Sequence, residues 1–527
     1  MRGWLAILGG GFAPGALAGV QLAGLIFYLN PRLPFAFGPV LRGSLIYGTL
    51  IGALSLALHL PFTWRRPRRA RRALAWTFTV ALAVSALLDW AHASYFAYFL
   101  PPGINDRLIK TALWLTLGAL IAFYTALLHS LSRRRYGRRS RWGLTLVAAL
   151  SIYAMVERRE AFHPRPAPAP RPAVVEAGQR PKLWVIGIDS ATLDAILPLA
   201  GQGRLPFLAT VLQNGAYGRL GSIMPTRRDA LWTTLATGKY PFKHGITGRR
   251  SYPAPFLAPG AELRLLPTGI SFQRWGVLGA RPLPAGTTRR EALALWEILP
   301  RLGVPAGVVG WPAANPEAGE ATFALGEDVF SGAPDPDLRR QTTALRLAAE
   351  NPRVEAFFLL LPGLREVSRR WFGGFNAVQF EGRQEAGAAR AAADRVADSY
   401  NRLDSLLAAA WEGGSGPRLL AVVSPYGVNP PGWLRRQMAP GAALGGELQG
   451  GPDGVLLLYG EGIRPGALLT GARLVDVAPT LLYGLGFPVS RELDGQVLTS
   501  AFDKSFLAQN PVAVFPSYEG LARATRN

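Results

Sequence analysis

The chain has 527 residues, of which 49% are hydrophobic, and a formal net charge of +23 at pH 7. This length leaves room for more than one structural unit, and the positive mean hydropathy of +0.16 indicates that part of the chain lies in lipid. The chain contains no cysteine, which excludes a disulfide framework, a thiolate metal site and a cysteine nucleophile.

The apolar residues cluster towards the N-terminus. Five stretches with few or no charges cover residues 4–29, 40–62, 73–100, 108–131 and 142–156. The first four are long enough to cross a hydrocarbon layer of ~30 Å at ~20 residues each, and we expect the shorter fifth to cross as well. A signal peptide is the alternative for the first stretch, but the four stretches behind it favour a membrane anchor of five helices at residues 1–157.

Twelve arginines lie in two short loops, one between the second and third stretches and one between the fourth and fifth: Arg65, Arg66, Arg68, Arg69, Arg71 and Arg72, then Arg133, Arg134, Arg135, Arg138, Arg139 and Arg141. Both loops face the cytoplasm by the positive-inside rule if every stretch crosses. We therefore expect a cytoplasmic N-terminus, a multi-pass protein of the cell (inner) membrane, and no nucleic-acid partner. The alternative role of these loops is to bind anionic lipid headgroups.

The remaining chain predicts a proline-rich linker at 158–181, a globular extracytoplasmic domain at 182–500 and a C-terminal tail at 501–527. Strand-like runs alternate with helical runs in the globular part and lie at residues 183–188, 306–309, 356–361, 419–423 and 454–459. This pattern predicts an α/β domain with a mostly parallel central sheet flanked by helices. Asp189, residues 362–369 and residues 424–427 each follow a strand-like run, so they should meet at one edge of the sheet.

Several ordered motifs in this domain resemble those of type I phosphodiesterases of the alkaline phosphatase superfamily. They include Lys182-Leu-Trp-Val-Ile-Gly-Ile-Asp189, Pro225-Thr-Arg-Arg228-Asp-Ala-Leu-Trp-Thr-Thr-Leu-Ala-Thr-Gly238, Gly310-Trp-Pro and Asp476-Val-Ala-Pro-Thr-Leu-Leu-Tyr-Gly-Leu-Gly-Phe-Pro488. The resemblance covers about residues 182–498. It implies an alkaline-phosphatase-like fold, a Thr or Ser nucleophile and two zinc ions held by Asp and His residues.

The chemistry implied by the resemblance is missing from the matched positions. Asp189 matches the first metal ligand, but the nucleophile position, ten residues before Gly238, carries Arg228. The positions of the Asp-x-x-x-His pair carry Arg365 and Arg369, and Pro425 and Tyr426 replace the Asp and His of the Ser-Asp-His-Gly motif. Thr226, Thr233 and Thr234 supply the nearby hydroxyls. We expect no intact catalytic set.

The number of histidines leads to the same expectation without an alignment. The chain has five, and only His244 lies in the globular part, whereas a two-zinc site of this family takes three. We therefore expect no zinc cofactor and a packed or hydrogen-bonded His244. Asp189 is then a helix cap or a salt-bridge partner, although Asp189 and Asp229 around Mg²⁺ or Ca²⁺ is an alternative.

The arginines allow two interpretations. Arg228, Arg365 and Arg369 could bind an anionic headgroup, since guanidinium groups suit phosphate and carboxylate. Alternatively, they pair with Asp189, Asp229 and Glu366 and fill a dead site. In the third membrane stretch, Asp89 and His92 share a helix face and are either functional or close to the outer interface.

The predicted layout is similar to that of lipoteichoic acid synthases and lipid A phosphoethanolamine transferases, a group that includes an inactive relative that senses lipopolysaccharide. By this analogy we expect a membrane-anchored pseudoenzyme of the cell envelope that binds membrane lipids, an anionic envelope lipid or a partner protein. The alternatives are an active phosphodiesterase or a phosphoethanolamine- or phosphoglycerol-type transferase with a rebuilt site, and a structural component that docks another protein.

Overall fold

A computed structural model describes residues 2–63, 67–132, 136–156, 180–268, 283–284, 290–312, 314, 320–332, 335–382, 387–413, 416–439 and 442–520. The chain forms two compact units. The first comprises Met1–His163 and Thr247–Ala285, and the second comprises Pro164–Ile246 and Gly286–Asn527. Nearly all of the predicted linker lies outside the described residues, as do Arg65, Arg66 and Arg133 to Arg135 of the arginine-rich loops.

The first unit contains the five predicted apolar helices, α1 (Arg2–Leu29), α2 (Phe37–Thr63), α3 (Pro67–Tyr95), α4 (Pro102–Leu131) and α5 (Arg138–Val156). By length and composition, α1 to α4 each contain a segment able to cross a membrane. Helix α5 has 19 residues and begins with an arginine-rich turn. Its apolar part is therefore shorter than that of the other four.

Close backbone approach and a few polar contacts hold these helices together. A Cβ atom on Gly19 of α1 would lie 2.2 Å from the carbonyl oxygen of Tyr47, so glycine is what allows α1 and α2 to pack here. Between α1 and α5, Gln21 Nε2 donates to Ser151 Oγ at 3.2 Å and the Tyr28 hydroxyl donates to the Met155 carbonyl at 3.1 Å. The C-terminal ends of α1 and α5 therefore lie side by side.

The segment Thr247–Ala285, here called the insertion, belongs to the first unit although its ends continue into the second. It contains three short antiparallel strands, β3 (Arg250–Pro253), β4 (Glu262–Leu263) and β5 (Leu283–Pro284), with β3 between the other two. The sequence predicted one continuous globular domain over this region. The structure instead groups the insertion with the apolar helices.

The second unit is built on an eight-stranded sheet in the order β11-β2-β10-β9-β1-β8-β6-β7. Five neighbouring strands, β9 to β7, are parallel, and β10 runs antiparallel to β9 and β2. The mostly parallel sheet predicted from the sequence is therefore confirmed. The strands are β1 (Lys182–Ile188), β2 (Ala216–Leu220), β6 (Ala306–Trp311), β7 (Phe323–Gly326), β8 (Ala356–Leu361), β9 (Arg418–Ser424), β10 (Gly454–Gly460) and β11 (Ala467–Leu469).

Helices cover this sheet on both faces because alternate residues of each buried strand point to opposite sides. Trp184, Ile186 and Ile188 of β1 share one core with the helices after β1 and β8, whereas Gly187 lies against Trp232 on the other side. The helices are α6 (Leu193–Gly201), α7 (Pro206–Asn214), α8 (Arg228–Thr237), α9 (Pro241–His244), α10 (Leu295–Arg301), α11 (Pro336–Glu350), α12 (Gly363–Gln379), α13 (Gly387–Glu412), α14 (Trp433–Met438), α15 (Val477–Gly484) and α16 (Lys504–Gln509).

Residues 501–520, part of the predicted tail, pack against the second unit. Two further strands, β12 (Val489–Ser490) and β13 (Val514–Phe515), pair in parallel. Tyr518 is buried, and Glu519 Oε1 lies 2.8 Å from Lys239 Nζ. This part of the chain is therefore integral to the fold.

Candidate functional site

The first candidate residue, Asp189, directly follows β1 at the carboxyl edge of the sheet. The register pairs Ile188 with Leu361 of β8 and Gly187 with Val423 of β9, so the loops after these three strands meet at one edge as predicted. The next residue, Ser190, has a φ of 64°, in the left-handed region that residues with side chains seldom occupy. The chain therefore turns sharply after Asp189.

Asp189 is completely buried and its two carboxylate oxygens accept three hydrogen bonds. Arg228 Nε donates to Oδ2 at 2.5 Å, while Trp232 Nε1 and the Tyr426 hydroxyl donate to Oδ1 at 2.6 and 3.0 Å. A buried carboxylate is tolerated only when its charge is compensated and its oxygens are hydrogen bonded. The neighbours of Asp189 meet both conditions without a metal ion.

Arg228 is the first residue of α8, and its side chain is only 11% exposed. Besides Asp189 it contacts Glu327, where Nη1 donates to Oε2 at 2.8 Å, and Asp229 Oδ1 lies 3.7 Å from Nη1. Burial alone would lower the pKa of Arg228, but the carboxylates of Asp189 and Glu327 outweigh burial and raise its pKa above the usual range for arginine. Arg228 is thus a fixed cation between carboxylates.

Tyr426, at the position that the resemblance assigns to histidine, is 1% exposed and completes the shell around Asp189. The Ser424 hydroxyl donates to the Tyr426 carbonyl at 2.8 Å and so supports the loop that also contains Pro425. Burial, reinforced by the charge of Asp189, raises the pKa of the Tyr426 phenol. Tyr426 is therefore a neutral hydrogen-bond donor at physiological pH.

The other two predicted arginines lie on the exposed surface of α12. Arg369 donates to Glu366 at 3.0 and 2.7 Å, Arg370 Nε donates to the same carboxylate at 2.5 Å, and all three side chains are at least half exposed. Arg365 is exposed, and its charge partly opposes the increase that burial causes in the pKa of the Tyr426 phenol. Of the three arginines, Arg228 alone contacts Asp189, and Arg369 pairs with Glu366.

Sequence reasoning missed four residues that surround this ion pair: Trp232, Glu327, Asp337 and Arg340. Arg340 is buried, and its Nη1 donates to the Leu360 carbonyl at 3.1 Å. Asp337 accepts the Gly363 amide at 3.0 and 3.1 Å, and burial raises its pKa to about 6. Glu327 directly follows β7, so the rule that functional residues follow parallel strands would have found it had β7 been recognised.

His244 and the nearby threonines are all engaged in hydrogen bonds within the fold. His244 is fully buried, its Nδ1 accepts the Ile246 amide at 3.2 Å, and its Nε2 lies 3.0 Å from Thr234 Oγ1. Burial lowers the pKa of His244 to about 3, so the ring is neutral. Thr233 donates to the Asp229 carbonyl at 2.7 Å, and Thr226 accepts the Gly451 amide at 2.8 Å.

The residues of the site do not fit the two zinc ions that the resemblance implies. Across the described residues, no three His, Asp or Glu side chains lie together in a group that could hold a metal ion. The chemical reason is that Asp189 faces a guanidinium, an indole N–H and a phenol, and the one histidine of this unit has both ring nitrogens engaged. Zinc requires neutral imidazole and carboxylate oxygens that are free to coordinate it.

Asp89 and His92 are both buried in α3, at 4% and 1% exposure. His92 Nδ1 lies 2.6 Å from the Leu88 carbonyl, and its Nε2 accepts the Thr268 amide at 2.7 Å. Since Thr268 belongs to the insertion, His92 lies where α3 meets this segment. The contacts of His92 connect parts of the first unit with each other.

Residues 183–430 match the family model of type I phosphodiesterases/nucleotide pyrophosphatases. No curated protein matches the chain.

Among solved structures, murine ectonucleotide pyrophosphatase/phosphodiesterase 5, in an inactive form in complex with AMP, is 13% identical, with a TM-score of 0.41 over 59% of this chain and 96% of its own. The human protein is 11% identical, with a TM-score of 0.39 over 59% and 95%. Phosphonoacetate hydrolase from Sinorhizobium meliloti, in complex with phosphonoformate, is 14% identical, with a TM-score of 0.33 over 50% and 58%. Similarities this low carry no argument about function.

Proposed function

We propose that this chain is a membrane-anchored, non-catalytic relative of type I phosphodiesterases/nucleotide pyrophosphatases, whose family model matches residues 183–430. Its globular domain lies outside the cytoplasm and recognises an anionic lipid headgroup at the membrane instead of cleaving a phosphodiester. The observation that carries this proposal is the buried ion pair between Arg228 and Asp189.

Catalysis of phosphodiester cleavage by two metal ions needs a nucleophile and a cationic site that polarises the phosphoryl group. Arg228 stands at the position that the family fills with the nucleophile, and a guanidinium cannot attack phosphorus because it carries no available lone pair at neutral pH. The same side chain neutralises the one carboxylate retained at a metal-ligand position, Asp189. Arg228 thus removes the nucleophile and also occupies the carboxylate that would help to hold a metal ion.

The location of the insertion supports an extracytoplasmic domain. The insertion contacts Asn30, which directly follows α1, and His92, near the C-terminal end of α3. Helices α1, α3 and α5 end on one side if every helix crosses, and the arginine-rich loops after α2 and α4 lie on the other. We propose the same side of the membrane for the globular domain, because the chain continues into it from both ends of the insertion.

This arrangement also favours a membrane-crossing α5, in spite of its short apolar part. The Tyr28 hydroxyl near the end of α1 contacts the Met155 carbonyl near the end of α5, so both helices finish at the same level. With 19 residues at ~1.5 Å each, α5 reaches ~28 Å, close to the thickness of the hydrocarbon layer. The arginines of its first turn can extend to the cytoplasmic headgroups.

Arg365 supports recognition of an anion close to the same edge of the sheet. It lies in the first turn of α12, directly after β8, and is exposed. Among the described residues no hydrogen bond or ion pair involves the side chain of Arg365, whereas the side chains of Arg228 and Arg369 are both paired with carboxylates. Of the three arginines predicted to bind an anion, Arg365 is the one whose guanidinium group remains available for a phosphate.

The test is turnover of bis-p-nitrophenyl phosphate by the purified full-length chain in lipid discs, with added Zn²⁺, Mg²⁺ or Ca²⁺. We expect no turnover above that of the Asp189→Ala variant. Metal-dependent turnover that disappears in Asp189→Ala would overturn the proposal in favour of an active phosphodiesterase or transferase with a rebuilt site.

A further inference from the structure

The first element of the inference is Asn30, which directly follows α1 and is 4% exposed. Its side-chain amide donates to the Leu265 carbonyl at 2.8 Å and to the Ile26 carbonyl of its own helix at 2.9 Å. Its side-chain oxygen accepts the backbone amides of Arg264 at 2.6 Å and Leu265 at 3.0 Å. The side chain of Asn30 therefore pairs with the main chain of the insertion, because it accepts from two backbone amides and donates to one backbone carbonyl.

The second element is His92 of α3. Its Nε2 accepts the Thr268 amide at 2.7 Å, and the Thr268 hydroxyl lies 3.3 Å from the same nitrogen. The Leu88 carbonyl faces Nδ1 at 2.6 Å and can only accept, which assigns the ring proton to Nδ1. The ring is thereby oriented to receive the insertion.

The third element is an apolar contact with α2. A Cβ atom on Gly43 would lie 3.2 Å from Leu257 Cδ2 and 3.2 Å from the Phe27 ring, so Leu257 packs directly against the helix backbone. Leu257 is 1% exposed, and Leu263 and Leu265 of the insertion are buried as well. The insertion thus contacts α1, α2 and α3.

From these contacts we propose that the insertion is a second, non-covalent attachment of the globular unit to the membrane helices. The chain joins the two units between residues 163 and 164, and again at each end of the insertion, between 246 and 247 and between 285 and 286. The contacts of the insertion with the helices therefore link the globular chain to the bundle independently of the proline-rich linker. This inference does not depend on whether the site is catalytic.

The experiment uses the full-length chain in lipid vesicles, with a protease recognition sequence replacing residues 164–170. After cleavage and a high-salt wash, the vesicles are sedimented and the C-terminal fragment is measured in pellet and supernatant. We expect most of the fragment to remain in the pellet. In the Asn30→Ala/His92→Ala variant the soluble fraction should rise at least about tenfold, since the hydrogen bonds that join Asn30 and His92 to the insertion are lost.

The matched control is His129→Ala, which removes a histidine of α4 whose ring contacts Ser140 Oγ at 2.9 Å within the bundle. The His129→Ala variant should keep the C-terminal fragment in the pellet to the same extent as the wild type. Release of the wild-type fragment, or equal retention by the double variant, would overturn the proposal.

A second measurement covers the case in which the double variant does not fold. The natural chain has no cysteine, so Gly43→Cys and Leu257→Cys create a single pair at the contact. Oxidation should link the fragment to the helices after cleavage, and a reducing agent should remove that link. Failure of the pair to cross-link in the folded protein would also overturn the proposal.

Discussion

The guanidinium of Arg228 and the carboxylate of Asp189 form a buried ion pair, with Arg228 Nε 2.5 Å from Asp189 Oδ2. Arg228 is 11% exposed and Asp189 is fully buried. Arg228 begins α8, and Asp189 directly follows β1, one of the five parallel strands of the sheet. The pair therefore connects the first turn of a helix with the carboxyl edge of the sheet.

The first prediction concerns the stability that this pair provides. Arg228→Met should lower the free energy of unfolding by about 3–5 kcal/mol, because it leaves the Asp189 carboxylate buried without a cation. Thermal unfolding of the full-length protein in detergent, followed by tryptophan fluorescence, should show a midpoint lower by roughly 5–15 °C.

Arg369→Met is the matched control, because it removes an arginine of the same predicted set from an exposed pair. Exposed ion pairs contribute little, so the midpoint should move by no more than about 2 °C. Equal shifts in the two variants would contradict a special role of the buried pair.

The second prediction concerns the pH dependence that His244 causes. Burial lowers its pKa from 6.5 to about 3 in the folded protein. Below pH 6.5 the unfolded chain therefore binds a proton that the folded protein does not, and stability falls as the pH decreases from 6.5 towards 3, by up to about 1.4 kcal/mol per pH unit.

The variant that isolates this effect is His244→Asn, which keeps an acceptor for the Ile246 amide but does not titrate. The advantage of the wild type over this variant in unfolding midpoint should be largest above pH 6.5 and should shrink at lower pH. The difference between the two proteins removes the contribution of other titrating groups. One of these is Asp337, whose raised pKa makes stability increase as the pH falls from ~6 to ~4. Parallel curves for the two proteins would show that His244 is not the titrating group.

The third prediction concerns Arg365 as an anion-binding residue. Phosphoethanolamine at about ten times its dissociation constant should raise the unfolding midpoint of the wild type by a few degrees, because a ligand of the folded state stabilises it. Arg365→Ala should remove most of this shift. Arg353→Ala is the control, since Arg353 is also exposed but precedes β8 at the opposite edge of the sheet. A shift that both variants retain would contradict anion binding at Arg365.

The fourth prediction concerns topology and uses the absence of cysteine from the chain. Ser405→Cys on α13 and Ser132→Cys, directly after α4, are both at exposed positions. In intact cells, or in spheroplasts where an outer membrane is present, a membrane-impermeant maleimide should label the Ser405→Cys variant. The Ser132→Cys variant should be labelled only after the membrane is permeabilised. The reverse pattern would place the globular unit in the cytoplasm.

The sequence predicted the features that depend on local pattern. The five apolar helices, the strands β1, β6, β8, β9 and β10, and the meeting of Asp189 with the loops after β8 and β9 follow from hydropathy, alternation and the geometry of parallel sheets. The sequence also left open whether Arg228 pairs with a carboxylate, and the structure gives this contact.

The remaining features depend on contacts between distant parts of the chain. Glu327 was missed because β7 is a four-residue edge strand, and Arg340 was missed because a buried arginine in α11 cannot be distinguished by pattern from an exposed one. The sequence pattern assigns the insertion to the globular domain because its buried residues show no periodicity that sets it apart. The insertion instead contacts the apolar helices through Asn30 and His92, which lie more than 170 residues away in the sequence.

We propose that Arg228 takes the place of both the nucleophile and the cationic partner of Asp189, and that the site consequently holds no zinc. The zinc content of the purified full-length chain tests this directly, because it does not depend on knowing a substrate. After incubation with Zn²⁺ and removal of the excess, we predict a content well below one zinc ion per chain, unchanged in the Asp189→Ala variant. A content of about one or two zinc ions per chain that falls in Asp189→Ala would contradict the account.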